Sequence, residues 1–260
     1  MKRILIFYIL WMIASVGLYA QETTMQIDSI SESGKNVDTP VVCKKKYVSY
    51  LVPAVLISYG VVGKMNTPLK KLDQSTDKAV QRQMKTRIRA DDYLFCLPAL
   101  SVYALDWMPG IQAQHNFRDR TIILAGSYLV AEFATLSLKY TTKVERPDAS
   151  NDDSFPSNHT VIAFTGAHIL FREYKDHSPW IGVAGYAAAS LTGTLRVINR
   201  KHWISDVVAG AGIGILSAEA GYALLPIVHR YLGIKNTDKN CAIVPLVGNG
   251  HYGAGLSYRF

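Results

Sequence analysis

This chain has little of what metal, redox or nucleic-acid chemistry needs. Its 260 residues carry only three cysteines, Cys43, Cys96 and Cys241, and their spacing matches no metal site. Cys96 lies in an apolar run and reads as a packed core thiol. Cys43 and Cys241 flank the core on opposite sides, which leaves a disulfide between them open in an exported protein. No helix-turn-helix, zinc or RNA-binding signature is present, and the basic residues are not interleaved with a stacking platform. The formal net charge of +8 is therefore assigned to anionic lipid or phosphate, with no nucleic acid among the partners. Convincing strand alternation is absent from the apolar runs, which argues against a sandwich or barrel as the main body.

What is present is helical periodicity. Apolar runs occupy roughly 47–63, 94–108, 121–138, 159–171, 180–195 and 206–226, and predict an all-α, six-helix bundle. The small residues Gly210, Gly212, Gly214, Ala218 and Gly221 let the last helix approach a neighbour closely, and packing accounts for them. Between the first two runs, residues 64–92 carry Lys64, Lys70, Lys71, Lys78, Arg82, Lys85, Arg87 and Arg89 against Asp73 and Asp77. That stretch reads as a solvated or headgroup-facing helix.

The ends differ from the middle. Residues 1–20 read as a signal peptide: Lys2 and Arg3, an apolar stretch from Ile4 to Val16, then a cleavage point at Ala20-Gln21, with Leu18 larger than the small residue expected there. Residues 21–46 are a flexible polar lead-in, 47–234 the helical domain and 235–260 a tail. In the tail Gly248-Asn-Gly250 sits between two apolar stretches and predicts a short β-hairpin, with Pro245 marking an edge. Alternation of Tyr252, Ala254, Leu256 and Tyr258 resembles a terminal strand of outer-membrane barrels, although two strands cannot close one.

Membrane placement is less direct. The runs are short for a span of roughly 20 residues, Glu132 and Glu219 lie inside two of them, and the mean hydropathy is only +0.09. If all six crossed after signal cleavage, the basic 64–92 loop and Lys139, Arg146 and His159 would all face the cytoplasm. The expectation is that some runs do not span and that the domain sits on a membrane or in the periplasm.

Three clusters carry chemistry. Lys139 ends an apolar helix, and Arg146-Pro147 follows in extended backbone. Pro156-Ser157-Asn158-His159 reads as a helix start, with Ser157 as N-cap and free N–H groups able to meet an anion. Arg196 precedes His202 and Asp206; the last two are four apart, so on a helix the carboxylate would orient the imidazole. Arg200 and Lys201 match nothing in particular, and Asp148, Asp152 and Asp153 read as a solvated linker. Taken singly, His159 as a surface cap is an equally good account, and His202–Asp206 as an ordinary pair is the better one.

Taken together, the clusters resemble the signature of the type-2 phosphatidic acid phosphatase superfamily. That signature is a lysine, six residues, Arg-Pro; then Pro-Ser-Gly-His; then Ser-Arg with a histidine six and an aspartate ten residues beyond the arginine. The likeness covers roughly residues 90–226. It implies an all-helical core, His202 as nucleophile oriented by Asp206, and a phosphohistidine intermediate. It further implies His159 as general acid, phosphate held by Lys139, Arg146, Ser157 and Arg196, and neither metal nor other cofactor; Asn158, outside the signature, can add an amide hydrogen bond to the same phosphate. The chain departs from the signature at Asn158, in place of glycine, and at Leu195, in place of serine. Only eight residues separate Pro147 from Pro156.

The function expected on this basis is a phosphomonoesterase of the bacterial cell envelope, exported and membrane-associated, acting on a phosphorylated lipid. The tail favours lipid A. Undecaprenyl diphosphate, phosphatidylglycerol phosphate and soluble phosphomonoesters stay open as substrates, a haloperoxidase would require bound vanadate, and a non-catalytic binding protein is the alternative outside the enzymes.

Overall fold

The computed structural model describes residues 45–65, 67–83, 86, 88–234, 241–248 and 251–258, with backbone alone for 45–49 and the two C-terminal segments. The signal peptide, most of the lead-in and any Cys43–Cys241 pairing lie outside the described residues.

Eight α-helices occur among the described residues, where six were expected. They are α1 (Lys45–Lys64), α2 (Pro68–Gln83), α3 (Asp91–Leu94), α4 (Leu97–Ala104), α5 (Phe117–Thr142), α6 (Asn158–Tyr174), α7 (Pro179–Ile198) and α8 (Ile204–Tyr231). Two differences make up the count. The basic stretch folds as α2, and the run at 94–108 divides into α3, α4 and a 3₁₀ turn at Leu105–Trp107. Pro98 stands in the first turn of α4, where its missing N–H has no intrahelical partner to lose. In the tail, β1 (Cys241–Gly248) pairs antiparallel with β2 (His251–Tyr258), placing Cys241 opposite Tyr258 and Gly248 opposite His251.

Helices α6 and α8 are the centre of the bundle, with α1 and α5 packed on α8, and α4 and α7 on α6. The core is one set of buried apolar residues, among them Phe164, Ala167, Phe171, Tyr186, Ala211 and Ile215. A second cluster, around Val102, Ile123, Ile169 and Tyr174, continues it away from the site. The small-residue stripe on α8 serves packing as expected: a Cβ at Gly214 would lie 2.6 Å from the Val161 carbonyl of α6, and one at Gly212 2.7 Å from the Pro53 carbonyl of α1.

Helices α5, α7 and α8 are long and apolar enough to cross a membrane. Helix α4, with eight residues at 1.5 Å per residue, falls far short of a hydrocarbon core of ~30 Å. Leu129, Phe133 and Leu136 form a stripe along α5 that is 73%, 76% and 44% exposed, continued by Tyr140. A contiguous apolar face of this kind marks a contact with lipid or protein. Glu219, which in the sequence counts against a spanning α8, is neutralised inside the bundle by Arg172 Nη1 at 2.7 Å and His168 Nε2 at 2.8 Å. Tyr186 Oη closes that network on His168 Nδ1 at 2.5 Å.

Candidate active site

Four helix ends meet at one end of the bundle: the C-termini of α5 and α7 and the N-termini of α6 and α8. Lys139 lies in the last turn of α5, and Lys143 ends that helix in a left-handed conformation (φ 44°). The chain then reverses through Arg146, Pro147 and Ser154 to Ser157, the N-cap of α6. Arg196 lies in the last turn of α7, His202 in the turn that follows, and Asp206 in the first turn of α8. The Ser157 N–H donates to the Asp206 carbonyl at 3.2 Å, tying the second cluster to the third.

His202 is buried, and its two ring nitrogens have different partners. Nδ1 lies 2.7 Å from the Ser154 carbonyl oxygen, which can only accept. The proton therefore resides on Nδ1, and Nε2 carries the lone pair. Nε2 faces the Arg196 guanidinium, with Nη2 at 3.5 Å. Burial, and then the positive charges of Arg196, Lys139 and Arg146, hold His202 well below the ordinary histidine value. The imidazole is neutral at physiological pH, as a nucleophile must be.

Asp206 does not orient His202 in the way its spacing predicts. His202 precedes α8, so the two residues share no helical face, and Asp206 Oδ2 is 3.9 Å from Nδ1. That oxygen instead accepts from the Trp203 N–H at 2.9 Å and from Ser154 Oγ at 2.5 Å. An aspartate in the first helical turn caps free backbone N–H groups in preference to a side chain one turn away. Its effect on His202 runs through Ser154.

The phosphate-binding candidates gather around the same point. The Arg196 guanidinium is buried, donates to Asp91 Oδ2 at 2.9 Å and leaves Nε unpartnered. Arg146 Nη2 pairs with Asp153 at 3.0 Å, and its Nε is likewise buried and unpartnered. Lys139 Nζ donates to the Asp153 carbonyl. Ser157 stands at the N-cap position without a side-chain capping bond; its hydroxyl accepts from Thr160 Oγ1 at 2.9 Å. Asn158 Oδ1 is buried without a partner. His159, in the first turn of α6, stacks at 4.6 Å on the Phe95 ring. Burial and then the Arg196 charge lower its pKa to about 4. Unpaired buried donors on two arginines are costly unless an anion completes them.

Several residues differ from the sequence reading. Asp148 and Asp153 do more than line a solvated loop: Asp148 pairs with Lys201 at 2.6 Å and Asp153 with Arg146. Arg200 has a defined place, pairing with Asp77 at 2.6 Å. Lys64 and Asp73 turn inward, Lys64 to Asp206 and Asp73 to Ser205. Asp91, fully buried, carries no motif in the sequence; the adjacent carboxylates Asp91-Asp92 at a helix start were the one signal available.

Comparison with known proteins places the chain in a family. Residues 120–229 match the PAP2 superfamily model. The lipid A 1-phosphatase of Porphyromonas gingivalis is 46% identical over 92 residues, which is 35% of this chain and only 21% of that relative. The Escherichia coli protein named "Putative undecaprenyl-diphosphatase YbjG" is 32% identical over 143 residues, 50% of this chain and 68% of the relative. The crystal structure of Aquifex aeolicus LpxE aligns with 64% of this chain and 93% of its own, at 22% identity and a TM-score of 0.39. By the matched domain, and by its likeness to a relative of which it covers two thirds, the chain belongs to the PAP2 superfamily.

Proposed function

We propose that the protein is a metal-independent lipid phosphatase of the bacterial cell envelope that works through a phosphohistidine on His202. The observation that carries this is the convergence of Arg196, Lys139 and Arg146 on a buried, neutral His202 whose Nε2 carries the lone pair and faces the Arg196 guanidinium. Nε2 attacks phosphorus and forms the P–N bond while the ester P–O bond breaks, and His159 gives its proton to the departing oxygen. Water then attacks the phosphohistidine, returning its proton to His159 and releasing inorganic phosphate. The three cations balance the charge on the transferring group. His159 by itself is largely neutral at pH 7; a bound phosphate dianion offsets the cations that depress it and loads it with the proton it donates.

A lipid substrate is supported by the apolar face of α5 and by the three helices long enough to cross a bilayer. Lipid A is favoured by the 46% identity to the Porphyromonas gingivalis relative, and undecaprenyl diphosphate is the second reading, favoured by the longer match to the Escherichia coli one. Export of the mature chain and a periplasm-facing site belong to the same proposal.

The test is inorganic phosphate release by the full chain in detergent with EDTA present. Lipid A, undecaprenyl diphosphate, phosphatidic acid and an aryl phosphate are compared, with His202→Ala alongside. Release from one lipid that disappears in the variant supports the reading and names the substrate. Equal turnover of the aryl phosphate points to a general acid phosphatase. Undiminished release by His202→Ala, or none from any substrate, overturns it.

A further inference from the structure

Lys64 and Asp73 lie outside the matched domain residues 120–229, on the first two helices, yet both reach the wall behind the nucleophile. Helix α1 comes close enough because it meets α8 through glycines. A Cβ at Gly60 would lie 2.4 Å from Ala209 Cβ, and one at Gly63 2.6 Å from Ser205 Cβ. With backbones this close, the last residue of α1 projects its ammonium onto Asp206 Oδ1. The Lys64 ammonium also lies over the rings of Phe155 and Trp203, 5.5 Å and 5.9 Å from their centroids. Asp73 of α2 accepts from the Ser205 N–H at 3.1 Å and from its hydroxyl, so a second carboxylate holds the start of α8.

Asp206 is fully buried, and its two oxygens have divided tasks. Oδ2 accepts both Ser154 Oγ and the Trp203 N–H. Oδ1 has no hydrogen-bond partner and meets only the Lys64 ammonium. A carboxylate so buried needs positive charge beside it, and the Lys64 ammonium supplies it at Oδ1. With Oδ1 held by the ammonium, Oδ2 is aimed at its two donors, the Ser154 hydroxyl and the Trp203 N–H. The same serine that Asp206 anchors presents the carbonyl that keeps the proton on His202 Nδ1.

We propose that Lys64 is a positioning residue for phosphoryl transfer at His202, acting through Asp206 and Ser154 to fix the imidazole tautomer. This rests on the phosphohistidine reading above. Lys64 touches no reacting atom, so its loss changes the rate of the chemical step and leaves substrate binding alone.

The test compares Lys64→Met, which keeps an unbranched side chain and removes the charge, with Lys64→Arg, which restores a cation. On the lipid substrate, Lys64→Met lowers kcat by about 10- to 100-fold with KM nearly unchanged, and Lys64→Arg recovers most of the loss. In protein labelled with ¹⁵N-histidine and free of substrate, the His202 signals, assigned with His202→Ala, move from one Nδ1–H tautomer to a mixture in Lys64→Met. Wild-type kcat with unmoved His202 signals overturns the proposal. So does a change confined to KM, or an equal loss in both variants with unmoved His202 signals. Absence of phosphate release by the wild type defeats the phosphatase reading instead, and the ¹⁵N signals still decide whether Lys64 governs the His202 tautomer.

Discussion

Replacing Asp91 with asparagine removes one charge and almost no volume, at a position that holds Arg196 in the site. The carboxylate is fully buried and Arg196 nearly so, and the two meet at 2.9 Å. Unit charges with centres about 4 Å apart attract by roughly 4 kcal/mol at an effective dielectric near 20. Removing one partner of such a buried pair costs about 3–5 kcal/mol, because the remaining ion stays out of water without compensation. Two features temper the loss. Asn199 Nδ2, 2.9 Å from Asp91 Oδ1, can still donate to the new amide oxygen, and Asp92 stands 3.8 Å from Arg196. A destabilisation of about 3 kcal/mol is therefore expected. A bound anion supplies the countercharge again, so orthovanadate stabilises Asp91→Asn more than it stabilises the wild type. The assay is unfolding in detergent followed by tryptophan fluorescence at pH 7.5, with and without vanadate. A loss below about 1 kcal/mol would show that Arg196 does not depend on Asp91. An equal vanadate effect on both proteins would show that the guanidinium does not meet the anion.

Two further perturbations probe the histidines. Ser154→Ala removes the hydroxyl bound to Asp206 but keeps the carbonyl on His202 Nδ1; it is expected to cost about 1–3 kcal/mol of stability and to lower kcat with KM unchanged. Unchanged stability in denaturant titration, or a variant as inactive as His202→Ala, contradicts that. Both His202 and His159 have folded pKa values below the 6.5 of the unfolded chain. As pH falls below 6.5 the unfolded chain binds protons first, so their contribution, present above 6.5, is lost on acidification, that of His159 by about pH 4. The slope is at most about 1.4 kcal/mol per pH unit for each histidine. Denaturation midpoints at pH 7.5 and 5.5 measure this, and a midpoint that rises on acidification refutes it.

Much of this site is legible without coordinates. Lys139, Arg146, His159, Arg196 and His202 stand at spacings that belong together only if four helix ends converge, and they do converge. Helical periodicity likewise marks α1 and α5 to α8, because an apolar stripe of period 3.6 shows within a single segment. The division of the 94–108 run is less visible, since its apolar content is continuous and only the packing of α4 on α6 shows where it breaks. The partnership of Asp206 is the clearest misreading. Spacing of four suggests a contact along a helix, yet the helix begins after His202, and whether a residue lies before or after a cap is settled by which backbone N–H groups need partners.

By itself the sequence determined which side chains make up the motif that the proposed chemistry uses, because their identity and order are local facts. The tertiary structure alone decided what surrounds them. Lys64 is one of eight basic residues in its stretch, and Asp91 one of two adjacent carboxylates, with nothing local to single out either. Lys64 meets Asp206 across 142 positions of the chain and Asp91 meets Arg196 across 105. Their importance comes from burial: a charge removed from water must find its counterion wherever packing places one, and that place is a property of the folded bundle.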